Sequence, residues 1–179
     1  MRRDQLEHIL RAAGAVVAED VMIVIGSQAI LASHPEPPEE LTFSAEADLY
    51  PRDAPEKADL ITGSLGEFSI FHETFGYHAD GVSPTTAVLP ASWRDRLVPL
   101  SNENTRGVTG LCLSAVDIAI SKLAAGRDKD IRYLIALFHH GLVRPDEVSR
   151  LTGELGPEVR ELIEGRLELV VRLAENRAT

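Results

Sequence analysis

The sequence contains a single cysteine, Cys112, which excludes an internal disulfide and favours a reducing compartment. Because Cys112 lies between Leu111 and Leu113, we predict a small buried hydrophobic side chain rather than a reactive thiol. No apolar run approaches the roughly 20 residues that span a bilayer. The N-terminus lacks the apolar segment of a signal peptide. We therefore expect a cytoplasmic protein that does not contact the membrane.

The sequence also lacks several common catalytic patterns. It has no glycine-rich P-loop, no cysteine cluster and no Ser/His/Asp arrangement, and its six histidines show no metal-ligand spacing. The residues that remain as candidates for chemistry are therefore mainly acidic and basic.

The sequence also has no excess of positive charge. The net charge is −10, which argues against a nucleic-acid partner because phosphate contacts need clustered lysines and arginines. The distribution is uneven, however, since residues 91–132 carry seven basic and five acidic side chains. This segment is where a polyphosphate would be repelled least.

The hydrophobic pattern of the first half alternates between helix and strand. Residues 3–18 have helical spacing, and Val21 to Ile25 form a continuous apolar run that is typical of a strand buried on both faces. A short helix is predicted at 28–32 and a proline-rich loop at 34–38. Further along, we expect a strand at 45–50 that Pro51 stops, a helix at 54–65 and a mixed stretch through Phe75. A strand at 76–82 and a hairpin of 96–100 with 108–113 should follow.

From Ser114 onward the pattern is helical throughout. Ser114 is a good N-cap with Asp117 three residues later. Helices are predicted at 115–125, 128–139, 145–151 and 157–176. We therefore expect an α/β (α+β) fold in which residues 1–113 form a mixed β-sheet flanked by helices and residues 114–179 form a C-terminal helical bundle.

Two features of the first half could hold a phosphorylated ligand and its metal. Gly26 and Ser27 follow a buried strand, so the backbone could approach a ligand there, although most such turns are only tight connections. Glu46 and Asp48 occupy positions i and i+2 of a strand, on one face and about 6.6 Å apart. Two carboxylates so placed suit Mg²⁺, with Asp80 as a possible third acid, whereas the competing interpretation is an edge strand with a solvated acidic face.

Lys122 is the only charge between Ile118 and Gly126, a segment that is apolar or small nearly all round the helix. Because lysine is rarely buried without a partner, its ammonium group either reaches solvent or faces an anion. In the next helix, Asp128 and Asp130 lie in the first turn, where acids favour the helix dipole.

These pieces together resemble the nucleotidyltransferase superfamily, whose signature is a hydrophobic residue, Gly and Gly/Ser, then acid-x-acid on the next strand. The segments that carry the resemblance are Val24-Ile25-Gly26-Ser27 and Glu46-Ala47-Asp48-Leu49. The later run from Asp117 through Lys122 and Arg127 to Asp130 is similar to motifs of AbiEii-type toxins. Those toxins are the nucleotidyltransferase halves of bacterial toxin–antitoxin pairs.

The resemblance implies a role for each matching residue. Gly26 and Ser27 would contact the phosphates of a nucleoside triphosphate (NTP), with Lys122 and Arg127 as further nucleotide contacts. Glu46, Asp48 and Asp80 would hold Mg²⁺ or Mn²⁺. Asp48, Lys122 and Asp130 would form the catalytic set, in which Asp130 orients the nucleophile or the lysine.

The implied reaction moves a nucleoside monophosphate from an NTP to an acceptor hydroxyl. In AbiEii-type toxins the acceptor is often the 3′ end of tRNA, and a cognate antitoxin protein would be a partner. Transfer to a protein or a small molecule is the alternative that the acidic net charge favours. A third possibility is a non-catalytic interaction module, since Glu46 replaces the usual aspartate and the spacing from Ser27 to the acids is longer than typical. The apolar 157–176 helix could then bind a partner, although packing on its own core is simpler.

Overall fold

The computed structural model describes residues 1–178, with the backbone only at Ala178, and the chain forms two compact units. The first unit comprises Met1–Ala87 and Leu97–Leu113, and the second comprises Val88–Arg96 and the chain from Ser114 onward. Each unit has its own set of elements and is described separately. The predicted boundary at residues 113 and 114 stays a prediction.

The first unit contains a five-stranded mixed sheet. Its strands are β1 (Val21–Ile25), β2 (Glu46–Pro51), β3 (His78–Gly81), β4 (Val98–Leu100) and β5 (Thr109–Cys112), in the order β3-β2-β1-β5-β4. β1 is antiparallel to β2 and parallel to β5, while β2 is parallel to β3 and β4 is antiparallel to β5. The predicted α/β (α+β) fold class with a mixed sheet is therefore confirmed.

The central position of β1 explains its sequence. A strand that pairs on both sides and is covered on both faces can carry apolar side chains at every position, and four of the five residues of β1 are fully buried. Cys112 on β5 is buried as predicted.

Four α-helices belong to the first unit: α1 (Arg3–Val17), α2 (Ile30–Ser33), α3 (Ala58–Leu65) and α4 (Ile70–Phe75). The apolar side of α1 is buried, including Leu6, Ile9 and Leu10, as its helical spacing predicts. Leu10 occupies the space above Gly110 of β5, where an added Cβ would lie 2.7 Å from Leu10 Cδ1. The absence of a side chain at Gly110 thus lets α1 approach the sheet closely.

Three predictions for this unit need correction. The stretch before Phe75 contains the short helix α4, which is capped by Ser69, whose hydroxyl accepts a hydrogen bond from His72 N–H at 3.1 Å. Gly76, which we expected to begin a strand, instead ends α4 with a φ of +75°. We expected Pro51 to follow β2, but it is the last residue of that strand. The pairing of β2 with β3 ends at Leu49, so Pro51 lies past the paired part of the two strands.

The second unit contains α5 (Ala115–Ala125), α6 (Asp128–His139), α7 (Pro145–Thr152) and α8 (Pro157–Glu175). These bounds agree closely with the predicted helices. α8 packs against the other three, and its buried side is formed by Ile163, Leu167, Val170 and Ala174. The apolar residues of α8 therefore serve mainly the unit's own core, although Leu162, Leu169 and Leu173 stay exposed.

Side-chain caps fix the ends of α5. Ser114 accepts the Asp117 N–H at 3.3 Å, which confirms the predicted N-cap. At the other end, Arg166 of α8 donates to the Leu123 and Ala124 carbonyls at 2.6 and 2.7 Å. Within the described residues, no helix combines the length and the hydropathy needed to cross a membrane.

Candidate active site

Gly26 follows β1 and has a backbone conformation that other residues avoid. Its φ is +74° and its ψ is −169°, a region that is almost restricted to glycine. A Cβ at this position would lie 2.2 Å from Asp48 Oδ2. The carboxylate of Asp48 therefore occupies the space that any side chain at position 26 would need.

The strand register explains this contact between two distant segments. In the antiparallel pair of β1 and β2, Ile25 lies opposite Asp48, so the turn after β1 begins beside the start of β2. The structure thus brings together the glycine of the first motif and the second acid of the next. In our alternative interpretation, the edge strand is wrong because β2 lies between β1 and β3, whereas a solvated acidic face agrees with the partial exposure of Glu46 and Asp48.

The helix after the turn is shorter than a typical anion-binding helix. Ser27–Ala29 form a 3₁₀ turn and only four residues, Ile30–Ser33, are α-helical. A helix dipole grows with aligned peptides, so its contribution here is small. The candidate phosphate contact therefore depends on the Gly26–Ser27 backbone and the Ser27 hydroxyl.

The acids of β2 and β3 share one face of the sheet. In this parallel pair, Glu46 lies beside His78 and Asp48 lies beside Asp80, and paired residues point to the same side. Glu46, Asp48 and Asp80 are each partly exposed, whereas the intervening Ala47 is buried. We call Glu46, Asp48, His78 and Asp80 the acidic face.

Asp80 and Glu46 are close enough for their carboxyl groups to interact directly. Burial raises the pKa of Asp80, and the neighbouring charge of Glu46 and a hydrogen bond between the two groups raise it further. His78 opposes this shift. Two carboxyl groups in such contact are stabilised by a shared proton or by a cation.

The acidic face fits Mg²⁺ bound together with a nucleotide. Among the described residues, no group of three or more His, Cys, Asp or Glu side chains converges on one metal position. Mg²⁺ does not require such a cage, because it is usually held by one or two carboxylates and completed by phosphate oxygens and water. The carboxylates of the acidic face match the arrangement in which one or two carboxylates share the ion with phosphate oxygens and water.

Two side chains of this unit were not singled out from the sequence. Among the described residues, the buried side-chain atoms without a hydrogen-bond partner are the amide N and O of Gln28 and Nδ1 of His78. Gln28 follows Gly26–Ser27 directly. His78 lies beside Glu46 and against His72, with ring centroids 4.7 Å apart and ring planes tilted by 48°. In the sequence, Gln28 could have been noticed because its polar amide lies between Ser27 and the apolar Ala29. Nothing in the sequence marked His78.

The second unit brings together Lys122, Arg127 and Asp130. Lys122 Nζ donates to Asp130 Oδ1 at 2.9 Å, and Arg127 Nε donates to Asp130 Oδ2 at 2.6 Å. Lys122 Nζ also lies 4.5 Å from the centre of the Tyr133 ring, a cation–π contact. The interpretation in which the Lys122 ammonium group faces an anion is therefore favoured over the one in which it reaches solvent. Only 13% of the Lys122 side chain is exposed.

Asp130 is completely buried and remains charged because it is paired. Burial by itself would raise the pKa of Asp130, but the hydrogen bonds from Arg127 and Lys122 outweigh it and hold the pKa below its usual range. The group of two cations and one anion keeps a formal charge of +1 next to Tyr133.

Asp117, which belongs to the same sequence motif, has a structural role. It is fully buried, accepts hydrogen bonds from Arg96 at 2.6 and 3.0 Å, and accepts one from the Ser114 hydroxyl at 2.6 Å. These contacts join the start of α5 to the segment before β4.

The candidate residues thus form two groups, each within one unit. Gly26, Ser27 and the acidic face belong to the first unit, whereas Lys122, Arg127 and Asp130 belong to the second. Cys112 is excluded as a nucleophile because burial raises the pKa of its thiol to about 12.

Comparison with known families adds to this geometry. No curated protein and no solved structure matches the chain significantly. Residues 4–152, more than four fifths of the chain, match a family model described as a nucleotidyltransferase of unknown function (DUF6036). The matched region includes both groups of candidate residues and ends before α8. The chain therefore belongs to the DUF6036 family of nucleotidyltransferases.

Proposed function

We propose that this protein is a Mg²⁺- or Mn²⁺-dependent enzyme that transfers a nucleoside monophosphate from an NTP to an acceptor hydroxyl. The observation that carries the proposal is the contact between Asp48 and Gly26, beside the interacting carboxyl groups of Glu46 and Asp80. In this arrangement, the turn that would hold the phosphates lies next to the carboxylates that would hold the metal. Membership of a nucleotidyltransferase family supports the same reaction class.

In the proposed mechanism, the main-chain turn at Gly26 and the Ser27 hydroxyl hold the triphosphate. Mg²⁺ would be held by one or two carboxylates from the set of Glu46, Asp48 and Asp80, and when bound it neutralises phosphate charge and favours deprotonation of the acceptor hydroxyl. The acceptor oxygen forms a bond to the α-phosphorus, the bond from that phosphorus to the β-phosphate oxygen breaks, and pyrophosphate leaves. The hydroxyl proton passes to a carboxylate of the acidic face. Positioning and charge neutralisation supply most of the rate increase.

For the acceptor, we propose the 3′ end of tRNA, with the protein acting as the toxin of a toxin–antitoxin pair. The resemblance of the Lys122 to Asp130 segment to AbiEii-type toxins supports this choice. The role of Lys122 as a triphosphate contact stays a prediction on the same basis.

One observation favours a protein or small-molecule acceptor instead. Three of the seven basic residues in segment 91–132 are engaged by buried acids, Arg96 by Asp117 and both Lys122 and Arg127 by Asp130. With a net charge of −10, fewer cations are then available for an RNA backbone than the sequence suggests.

The test is a labelling experiment with Mg²⁺ and each α-labelled NTP, in the presence of total tRNA or of cell lysate. Label in tRNA supports the toxin proposal, and label in protein or in a small metabolite supports the alternative acceptor. Asp48→Asn should reduce the transfer rate by about 10²-fold or more, because a metal ligand and charge stabilisation are lost.

The matched control is Asp59→Asn, an exposed acid on α3 of the same unit, which should leave the rate unchanged. Absence of label under every condition, together with equal NTP binding by the wild type and Asp48→Asn, would refute the enzymatic proposal. The non-catalytic interaction module would then be favoured.

A further inference from the structure

Gln28 is a buried amide that the fold leaves unpaired. The residue is 1% exposed, and neither its side-chain nitrogen nor its side-chain oxygen has a hydrogen-bond partner among the described residues. Because both atoms lack partners, exchanging the amide's N and O would not change this. Buried polar side chains almost always have partners, so an exception calls for a physical reason.

The position of Gln28 suggests that reason. It is the middle residue of the 3₁₀ turn Ser27–Ala29, which follows Gly26 and packs on both β1 and β2. β2 carries Glu46 and Asp48. The other unpaired buried atom among the described residues, Nδ1 of His78, belongs to the acidic face itself. Both exceptions thus lie on segments that build one candidate site.

A purely structural role predicts a different residue at this place. The neighbours Ala29, Ile30 and Leu31 are fully buried and apolar, so an apolar side chain would fill the same space without an unpaired amide. Stability alone therefore favours methionine or leucine at position 28. Stability and function often conflict in this way at binding sites.

We propose that Gln28 binds the phosphates of the nucleotide, and that its side-chain N–H groups donate hydrogen bonds to a phosphate oxygen when a phosphate group occupies the Gly26–Ser27 turn. This inference rests on the proposed function. The two amide atoms are shielded in the free protein, so pairing requires a local shift of the turn. Gly26, two residues before Gln28, has a conformation almost restricted to glycine and is a suitable place for that shift.

The test uses Gln28→Met, which keeps the length of the side chain and removes its polar atoms, with Gln28→Leu as a second variant. The probe is inorganic triphosphate with Mg²⁺, so that the result does not depend on the base. In free protein, Gln28→Met should raise the Tm by about 2–4 °C, because an unpaired buried amide is removed. In calorimetric titration, it should weaken triphosphate binding about tenfold, because the bound state loses its hydrogen bonds.

The matched control is Thr152→Val. Thr152 is equally buried, but its hydroxyl donates to the Ser149 carbonyl at 2.8 Å. This variant should lower the Tm or leave it unchanged, and should bind triphosphate like the wild type. The side-chain amide resonances of Gln28, assigned by their absence in Gln28→Met, should shift downfield when Mg²⁺-triphosphate is added to the wild type.

Other outcomes would overturn the inference in distinguishable ways. A higher Tm with unchanged triphosphate affinity would make Gln28 a buried residue without a role in binding. A lower Tm would mean that a buried water pairs the amide in the free protein. Either result overturns the inference alone, whereas a wild type that does not bind Mg²⁺-triphosphate overturns the proposed nucleotide site as well.

Discussion

Gly26 is the residue at which two constraints coincide. Its positive φ needs the conformational freedom of glycine, and the carboxylate of Asp48 fills the position of a Cβ. Either constraint by itself is common in tight turns. Their combination means that the turn after β1 and the acid on β2 are fitted to each other, which a connection without further role would not require.

Substitution of this glycine should therefore be costly. We expect Gly26→Ala to lower the free energy of unfolding by about 2–4 kcal/mol, because backbone strain and displacement of Asp48 add. Urea unfolding measures this. Gly63→Ala is the matched control, since Gly63 lies on α3 with open space around its Cα and should gain about 0.5–1 kcal/mol. A loss for Gly26→Ala below 1 kcal/mol would contradict the described turn.

The ion pair of Lys122 and Asp130 leads to a pH-dependent prediction. The folded-state pKa of Asp130 is lowered, so its contribution to stability is present above the unfolded-state pKa and is lost as the pH falls through the folded-state pKa. Lys122→Met should cost about 2 kcal/mol at pH 7, because one of the two cationic partners of a buried carboxylate is removed.

This cost should shrink as the pH falls through the lowered folded-state pKa of Asp130, because a protonated Asp130 no longer needs a cationic partner. Urea unfolding of the wild type and Lys122→Met, from pH 7 down to the lowest pH at which both proteins fold, measures the difference. Lys129→Met, which removes an exposed cation from α6, the helix of Asp130, should change stability by less than about 0.5 kcal/mol at every pH. A pH-independent cost for Lys122→Met would show that Lys122 acts through packing rather than through Asp130.

At the level of single elements, the periodicity of the sequence was most reliable where elements are long. The bounds of α5 and α6 agree with the prediction because local signals mark both helices. α5 has a side-chain cap at Ser114 and ends at Gly126, while α6 has acids in its first turn and an apolar stripe. α4 was missed because six residues are fewer than two helical turns, too few for a periodic pattern. Its signals were the caps, Ser69 before it and Gly76 after it.

α8 provides a test of burial along one element. Leu167 is 6% exposed and packs in the core of the second unit, whereas Leu169 on the same helix is 49% exposed. Leu167→Ala should lower the free energy of unfolding by about 2–4 kcal/mol, and Leu169→Ala by less than about 1 kcal/mol. Thermal or urea unfolding measures both. Equal losses would indicate that a second surface covers Leu169, as the interaction-module alternative requires.

At the scale of the whole molecule, family membership and net charge bear on different questions. The family match supports nucleotidyl transfer as the reaction class, and it covers the elements that hold both groups of candidate residues. The net charge of −10 bears on the acceptor. The pairing of Arg96, Lys122 and Arg127 with internal acids lowers the effective positive charge of their segment further. The acceptor is therefore the part of the proposal that labelling should decide first.

The sequence by itself determined the alternation of elements, the fold class and the residues worth testing, because periodicity, caps and charge on apolar segments are local properties. Only the tertiary structure placed Asp48 against Gly26, Glu46 against Asp80 and Lys122 against Asp130. It also placed β2 inside the sheet and buried the unpaired amide of Gln28. The relations within the sheet depend on strand order and register, and the pairing of Lys122 with Asp130 depends on the packing of α5 on α6. Packing between elements sets both, and local sequence patterns do not show it.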